Sequence, residues 1–337
     1  MKPTLLLILP FLLLLSACKT TVGKLKEKHE LSSFSLLSKE EAKKAVVTDD
    51  KEGYFEKVTL LEMSIQLAME SPSGNRSEVL ENYKKMLQDD IEDFTSEEQQ
   101  FLRQEFKKAL DLCAKIDKNL KLPEIQLIKT KGTYYGAGVY YTRDNSIIIP
   151  AAQLNQDNKH LLRTLIHEIF HIYSRYNPAK RDALYAAIGY NKIKKLELSD
   201  FLIKRVIYNP DGVDLAYAIE VQDSSGRSFK AIPSMYSKFS SYRMPLLKSY
   251  VFQLFEVKEQ KDGSWKVMNA DVGYSEEMLS GYWEKIGRNT RYTIHPDEVT
   301  ADNFTILAFS KEQNDELNKL SEEGKKLLLE LEKIIKQ

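Results

Sequence analysis

LIHEIFHIY (165–173) sets two histidines four residues apart with a glutamate between them, His167, Glu168 and His171, a combination suited to binding a metal ion and activating water. On a helix, positions i and i+4 share a face one turn apart, so both imidazoles can aim at one point. Zinc takes nitrogen ligands at about 2 Å, and this spacing supplies two of them. Glu168 falls about 100° round the helix, where its carboxylate can approach a metal-bound water without entering the coordination site. With five histidines in 337 residues, the pattern arises by chance about one time in a hundred. The alternative is a core helix that carries two hydrogen-bonded histidines.

A catalytic zinc normally has three protein ligands and an open fourth position, so a third ligand is needed. The extended H-E-x-x-H-x-x-G-x-x-H pattern fails, because Ser174 and Asn177 stand where its glycine and histidine would be. A better candidate lies in YTIHPDEVTADNFTIL, where Glu298 and Asp302 are four apart on a helix expected to begin at Pro296. Asp182 follows the first motif closely enough to compete. So does His295, which precedes Pro296 and could ligate zinc or donate a hydrogen bond to a transition-state oxyanion. Tyr282 and Tyr292 are further candidate donors to that oxyanion.

With these two motifs the chain resembles the gluzincins, the thermolysin-like zinc metallopeptidases. The resemblance implies Zn2+ as cofactor, Glu298 as third ligand, and Asp302 as the acceptor of a hydrogen bond from a ligand histidine. It implies hydrolysis of a peptide or protein substrate, with Glu168 as the base that activates water. It covers two short motifs rather than the chain. Glu298 lies 127 positions after His171 (298 minus 171), where the thermolysin prototype has about 20. The intervening β-rich residues would then be an insertion.

The elements that must position these residues are legible from periodicity and punctuation. Ser38 with Glu41 is a capping-box signal, and EKVTLLEMSIQLAM continues helically. Helices over roughly 77–94 and 96–119 complete a helical N-terminal region, 38–120. From Pro123, EIQLIKT, TYYGAGVYYT and SIIIP read as strands. In a zincin, an edge strand such as the second would pair with extended substrate. The active-site helix spans about 158–176 and stops at Asn177-Pro178, and a second helical piece reaches about 205. Residues 207–272 read as β with Asp-Gly and Ser-Gly turns. Pro296 opens a helix, and Ser310 with Gln313 caps a C-terminal helix over 311–337. The expected fold class is α+β, with a zincin-like region over 121–310 that carries the 207–272 insertion.

Composition bounds the rest. The chain has 49 Lys+Arg against 49 Asp+Glu, so no basic surplus points to nucleic acid. MKPTLLLILPFLLLLSACKT reads as an export signal over 1–17. Its Leu15-Ser16-Ala17-Cys18 end resembles the bacterial lipobox, which implies lipidation at Cys18 and a membrane anchor. Lys19 in second place points to the outer membrane of a bacterial envelope. Residues 18–37 read as a tether that includes His29. Cys113 would be the sole remaining thiol, buried and inert in ALDLCAKI. His160 reads as a surface residue and Trp265 as core. The rival from another class is a non-catalytic envelope lipoprotein that binds or scaffolds, with a structural or vestigial zinc site.

Overall fold

The structure, a computed structural model, describes residues 26–70, 74–155, 160–268, 271, 273–313 and 315–337. The expected signal segment and Cys18 lie outside the described residues. Chain order begins with strands β1 (Glu27–Lys28) and β2 (Ser33–Leu36), then helices α1 (Lys39–Ala45), α2 (Tyr54–Lys57), α3 (Leu60–Gln66) and α4 (Arg76–Asp89). The short strand β3 (Ile91–Glu92) leads to α5 (Ser96–Ile116), and then come β4 (Ile125–Thr130), β5 (Tyr141–Arg143) and β6 (Ser146–Pro150). Capping boxes start α1 at Ser38 and α5 at Thr95, with Glu41 and Glu98 each reaching back to the cap.

The first sheet runs β1-β2-β4-β6-β5, with β3 alongside β4. β2, β4 and β6 are parallel, and β5 closes the edge antiparallel to β6. Parallel strands are covered on both faces, and alternation separates the two sides. Leu127, Ile147 and Ile149 join the core beneath α5. Ile128, Ile148 and Tyr141 join a second core with Tyr54, Tyr83 and Met86. Each fully buried aliphatic or aromatic side chain here contributes about 1.5–3 kcal/mol.

Two expectations change at this sheet. The tether expected over 18–37 does not hold in its described part, 26–37, because β2 pairs in register with β4 (Phe34 with Ile125) and Phe34 is fully buried. The described chain is part of the body from its first strand on, and His29 is held there by Asp111, 3.0 Å from its Nε2. TYYGAGVYYT is not one strand either: residues 133–140 form a loop, and only Tyr141–Arg143 pair. Gly132 (φ +75°) turns the chain so tightly that a Cβ would lie 3.1 Å from the Ala137 Cα.

The second half opens with α6 (Leu161–Tyr176) and α7 (Pro178–Ala187), joined at Asn177-Pro178. Next come β7 (Tyr190–Lys192), β8 (Leu196–Glu197), α8 (Asp200–Arg205), β9 (Val206–Ile207), β10 (Tyr217–Gln222), β11 (Ser228–Ser237), α9 (Leu246–Ser249), β12 (Tyr250–Glu259) and β13 (Trp265–Val267). The expected helix to about 205 is therefore interrupted. Tyr190 pairs with Ile219 of β10, and the sheet claims residues from 190 rather than 207. Its order is β7-β10-β11-β12-β13-β8, with β9 beside β11. Ile219, Val221, Ala231 and Leu254 on one face join the main core, while Ala218, Ile232, Phe255 and Val257 form a small core on the other. Trp265 packs half-buried against that small core.

The chain ends with α10 (Tyr282–Lys285), α11 (Pro296–Ser310), α12 (Asp315–Asn318) and α13 (Glu322–Lys336). α11 is buried along most of its length, as a helix packed on several sides should be. Ser310 does not cap the last helix. It is the final residue of α11 and donates to Leu307 O, and Ser321 caps α13 instead. The architecture is mixed α+β with a curled sheet. Among the described residues no helix is long and apolar enough to cross a membrane.

Candidate metal centre

α6 and α11 pack against each other, with the Phe170 and Phe304 rings 5.2 Å apart. The contact brings His167 and His171 to the first turns of α11. Each imidazole has one nitrogen claimed by a carboxylate. His167 Nδ1 lies 3.0 Å from Asp302 Oδ1, and His171 Nδ1 lies 2.6 Å from Asp297 Oδ2. An ionised carboxylate only accepts, so Nδ1 carries the hydrogen and Nε2 keeps its lone pair when the ring is neutral. Both Nε2 atoms turn to one oxygen, Glu298 Oε2, at 2.9 Å for His167 and 3.4 Å for His171. The other oxygen, Glu298 Oε1, accepts from Asn209 Nδ2 at 2.6 Å.

These residues could hold a metal ion. Ligand atoms of His167, His171 and Glu298 all lie within 4.8 Å of one another. Tetrahedral bonds of about 2.05 Å place neighbouring ligand atoms roughly 3.3 Å apart, close to the 2.9 and 3.4 Å from Glu298 Oε2 to the two Nε2 atoms. Glu168, His171 and Asp211 form a second such group. Since Asp297 occupies His171 Nδ1, that ring has one nitrogen left to give. The two groups therefore compete for one ion rather than hold two. Glu168 is buried beside them, and its Oε2 has no hydrogen-bond partner.

Charge inside the cluster follows from burial and neighbours. Burial, aided by the negative charge of Asp211, pushes the Glu168 carboxyl up to about 8. A divalent ion nearby would draw it down again. Burial alone would lower His167, but hydrogen bonds to Asp302 and Glu298 outweigh it and raise the ring to about 10. Burial would raise Asp297, yet bonds from His171, Ser174 and Tyr185 hold it below the ordinary range. The two hydroxyls reach Asp297 Oδ1 at 2.5 Å each.

The cluster opens into a cavity of about 620 Å³. It is lined by His160 and residues of α6 as far as His171, by Gly138–Tyr140, and by Tyr292 with Glu298, Asp302 and Thr305. His160, exposed at the start of α6, is thus at the rim of the cleft. No protein-family model, no curated protein and no solved structure matches this chain. What supports a function is the geometry of its own residues.

Several candidates fall elsewhere. His295 neither ligates nor faces the cavity. Preceding Pro296, its backbone is extended (φ −154°, ψ 148°), which turns the ring back over the start of α11. Its Nδ1 accepts from Asp297 N and its Nε2 donates to Asp214 O, each at 3.1 Å, so no nitrogen remains for a metal or an oxyanion. Burial lowers its pKa and keeps the ring neutral. Gly212 packs so closely on this ring that a Cβ would lie 2.1 Å from Nδ1. Asp182 is held by the Tyr217 hydroxyl at 2.5 Å, on α7, away from the cavity. Tyr282 is buried and accepts from the Tyr190 hydroxyl. Tyr292 does line the cleft, its ring 6.2 Å from that of His167. Cys113 is fully buried, and burial pushes its thiol up.

Three contributors escaped the reading of the sequence. Asp297 sits beside Glu298 in the first turn of α11, where an acidic residue is usually explained by the helix dipole. Asn209 and Asp211 lie in YNPDGVD between β9 and β10, which reads as a turn. Serine at 174, one turn past His171, is the one local hint that a carboxylate waits there. Asp297→Asn is expected to weaken metal binding about 10–100-fold, because the ring of His171 loses the group that orients it. Competition titration with a chelating dye would measure this, and unchanged affinity would remove Asp297 from the site.

Proposed function

We propose that this chain is a zinc-dependent metallopeptidase with a zincin-like catalytic region, exported and anchored to the bacterial outer membrane through lipid on Cys18. The observation that carries the reading is the convergence of two imidazole Nε2 atoms on Glu298 Oε2, each ring oriented by its own carboxylate, beside the unpartnered Glu168. Two imidazoles and one carboxylate facing a cavity suit a catalytic zinc, whereas a structural site is closed by a fourth side chain.

His167, His171 and Glu298 would hold the zinc. When bound, the ion would polarise a carbonyl and make water acidic enough to act near neutral pH. Glu168 accepts the proton of the attacking water, whose oxygen bonds to the peptide carbonyl carbon. As the C–N bond breaks, Glu168 returns that proton to the departing nitrogen. Asp302 and Asp297 keep the Nδ1–H tautomers in place throughout. Tyr292 is the phenol of the two considered that stands within reach of the cleft.

Purified protein is expected to carry one equivalent of zinc and to hydrolyse members of a peptide library. A chelator should stop hydrolysis and zinc should restore it. Protons compete for His167 in the metal-free protein. The charged ring stabilises that form fully below the ordinary value of 6.5 and loses this role as pH rises through about 10. Apparent zinc affinity should therefore increase with pH across that window. Zinc-loaded protein that cleaves no peptide would refute the reading.

A further inference from the structure

The cleft is lined by exposed residues at one end and by buried ones at the other. It enters at the start of α6, where His160 is exposed and Arg163 half-buried, and runs along the helix to His171. These eleven residues of rise correspond to about 16 Å. At the far end stands Asp211, buried in the loop between β9 and β10. Its Oδ1 accepts from Thr142 N and Thr142 Oγ1, at 2.6 Å each. Behind it lie Thr142 and Arg175, both buried. A polypeptide seated at the candidate metal ligands can leave toward His160, but in the other direction it meets Asp211 within about one residue.

That closed end is lined by the carboxyl groups of Glu168 and Asp211, whose positive neighbours are the His171 ring and the Arg175 guanidinium. Glu168 Oε2 has no partner, and both hydrogen bonds that Asp211 accepts from Thr142 fall on Oδ1. The nearby Arg175 guanidinium is engaged by the Thr142 hydroxyl and by the carbonyls of Asp144, Pro210 and Asp211, not by the Asp211 carboxylate. Buried carboxylates are stable when a positive group meets them.

Building on the metallopeptidase reading, we propose that Asp211 receives the free α-ammonium of a peptide at the closed end of the cleft, so that the enzyme removes single residues from peptide N-termini. A C-terminal carboxylate placed there would face two carboxylates, which argues against release from the other terminus. Internal cleavage would need the chain to continue where Thr142 and Arg175 fill the interior.

Two matched pairs of probes test this on the zinc-loaded mature protein. The first is a short leucine-initiated peptide with a free or an acetylated N-terminus, with products read by mass spectrometry. The second is L-leucine hydroxamate and its N-acetyl form, with binding read by calorimetry, which needs no turnover. The free amine should favour cleavage about 100-fold and tighten hydroxamate binding at least about tenfold, the scale of a charged hydrogen-bonded pair. Asp211→Asn keeps an oxygen for the Thr142 donors and should bring both ratios close to one with zinc content unchanged. Equal binding of the two hydroxamates, or equal cleavage of the two peptides, would overturn the proposal and leave the metallopeptidase reading standing. Loss of zinc in Asp211→Asn would make Asp211 a ligand and also overturn it. Failure to cleave either peptide with zinc bound would overturn both.

Discussion

Glu168→Gln is expected to retain one equivalent of zinc while peptide hydrolysis falls about 10²–10⁴-fold, the usual contribution of a positioned general base. The amide matches the carboxylate in shape, and Glu168 is not among the three candidate ligands, His167, His171 and Glu298. Its side chain makes no hydrogen bond that the fold would miss, since Oε2 is unpartnered in the buried site. Gln cannot take up a proton, so the water loses its acceptor and the departing nitrogen its donor. Because burial costs a carboxylate more than an amide, the variant should also be at least as stable to urea as the parent. Zinc content, urea midpoint and turnover measured on one preparation would decide the matter. Retained hydrolysis would remove Glu168 from the mechanism.

His171→Ala should lose the metal and destabilise the fold by about 3–5 kcal/mol, the range seen when one partner of a buried charged pair is deleted. His171 is 1% exposed and stands between Asp297 and Glu298, each also 1% exposed. Alanine would leave those carboxylates facing each other without the ring that separates them. Asp297 would keep the Ser174 and Tyr185 hydroxyls, and Glu298 would keep Asn209 and His167. Those bonds are why the loss should stop short of unfolding. His167→Ala is the useful comparison. Its ring is more accessible, at 14% for the side chain, and Asp302 is 32% exposed, so water can replace what is removed. It should abolish zinc binding at a smaller cost in stability. Equal and small losses from both variants would mean that the cluster is not a charged core element.

The local features of the site were legible because helices obey short-range rules. His167 and His171 share a face by period alone, Pro296 starts α11, and Asn177-Pro178 divides α6 from α7. Errors arose where a local pattern competes with distant partners. Ser33–Leu36 looks polar enough for a tether until β4 supplies a parallel neighbour. Tyr190–Lys192 sits within a helical-looking stretch until β10 pairs with it. His295 has the right residue type beside Glu298, yet the extended backbone forced by Pro296 sends its ring to Asp214.

The two imidazoles, the adjacent glutamate and the acidic first turn of α11 can be read from the chain alone, since each depends on spacing along one helix. It takes the folded arrangement to show that Glu298 meets both rings, that Asp297 rather than a solvated surface faces His171, and that Asn209 and Asp211 line the cluster. The contacts of Glu298, Asp297 and Asn209 join residues about 90 to 130 positions apart, and Asp211 reaches Thr142 across 69. Such contacts depend on how whole surfaces pack, which no periodicity within one segment can encode.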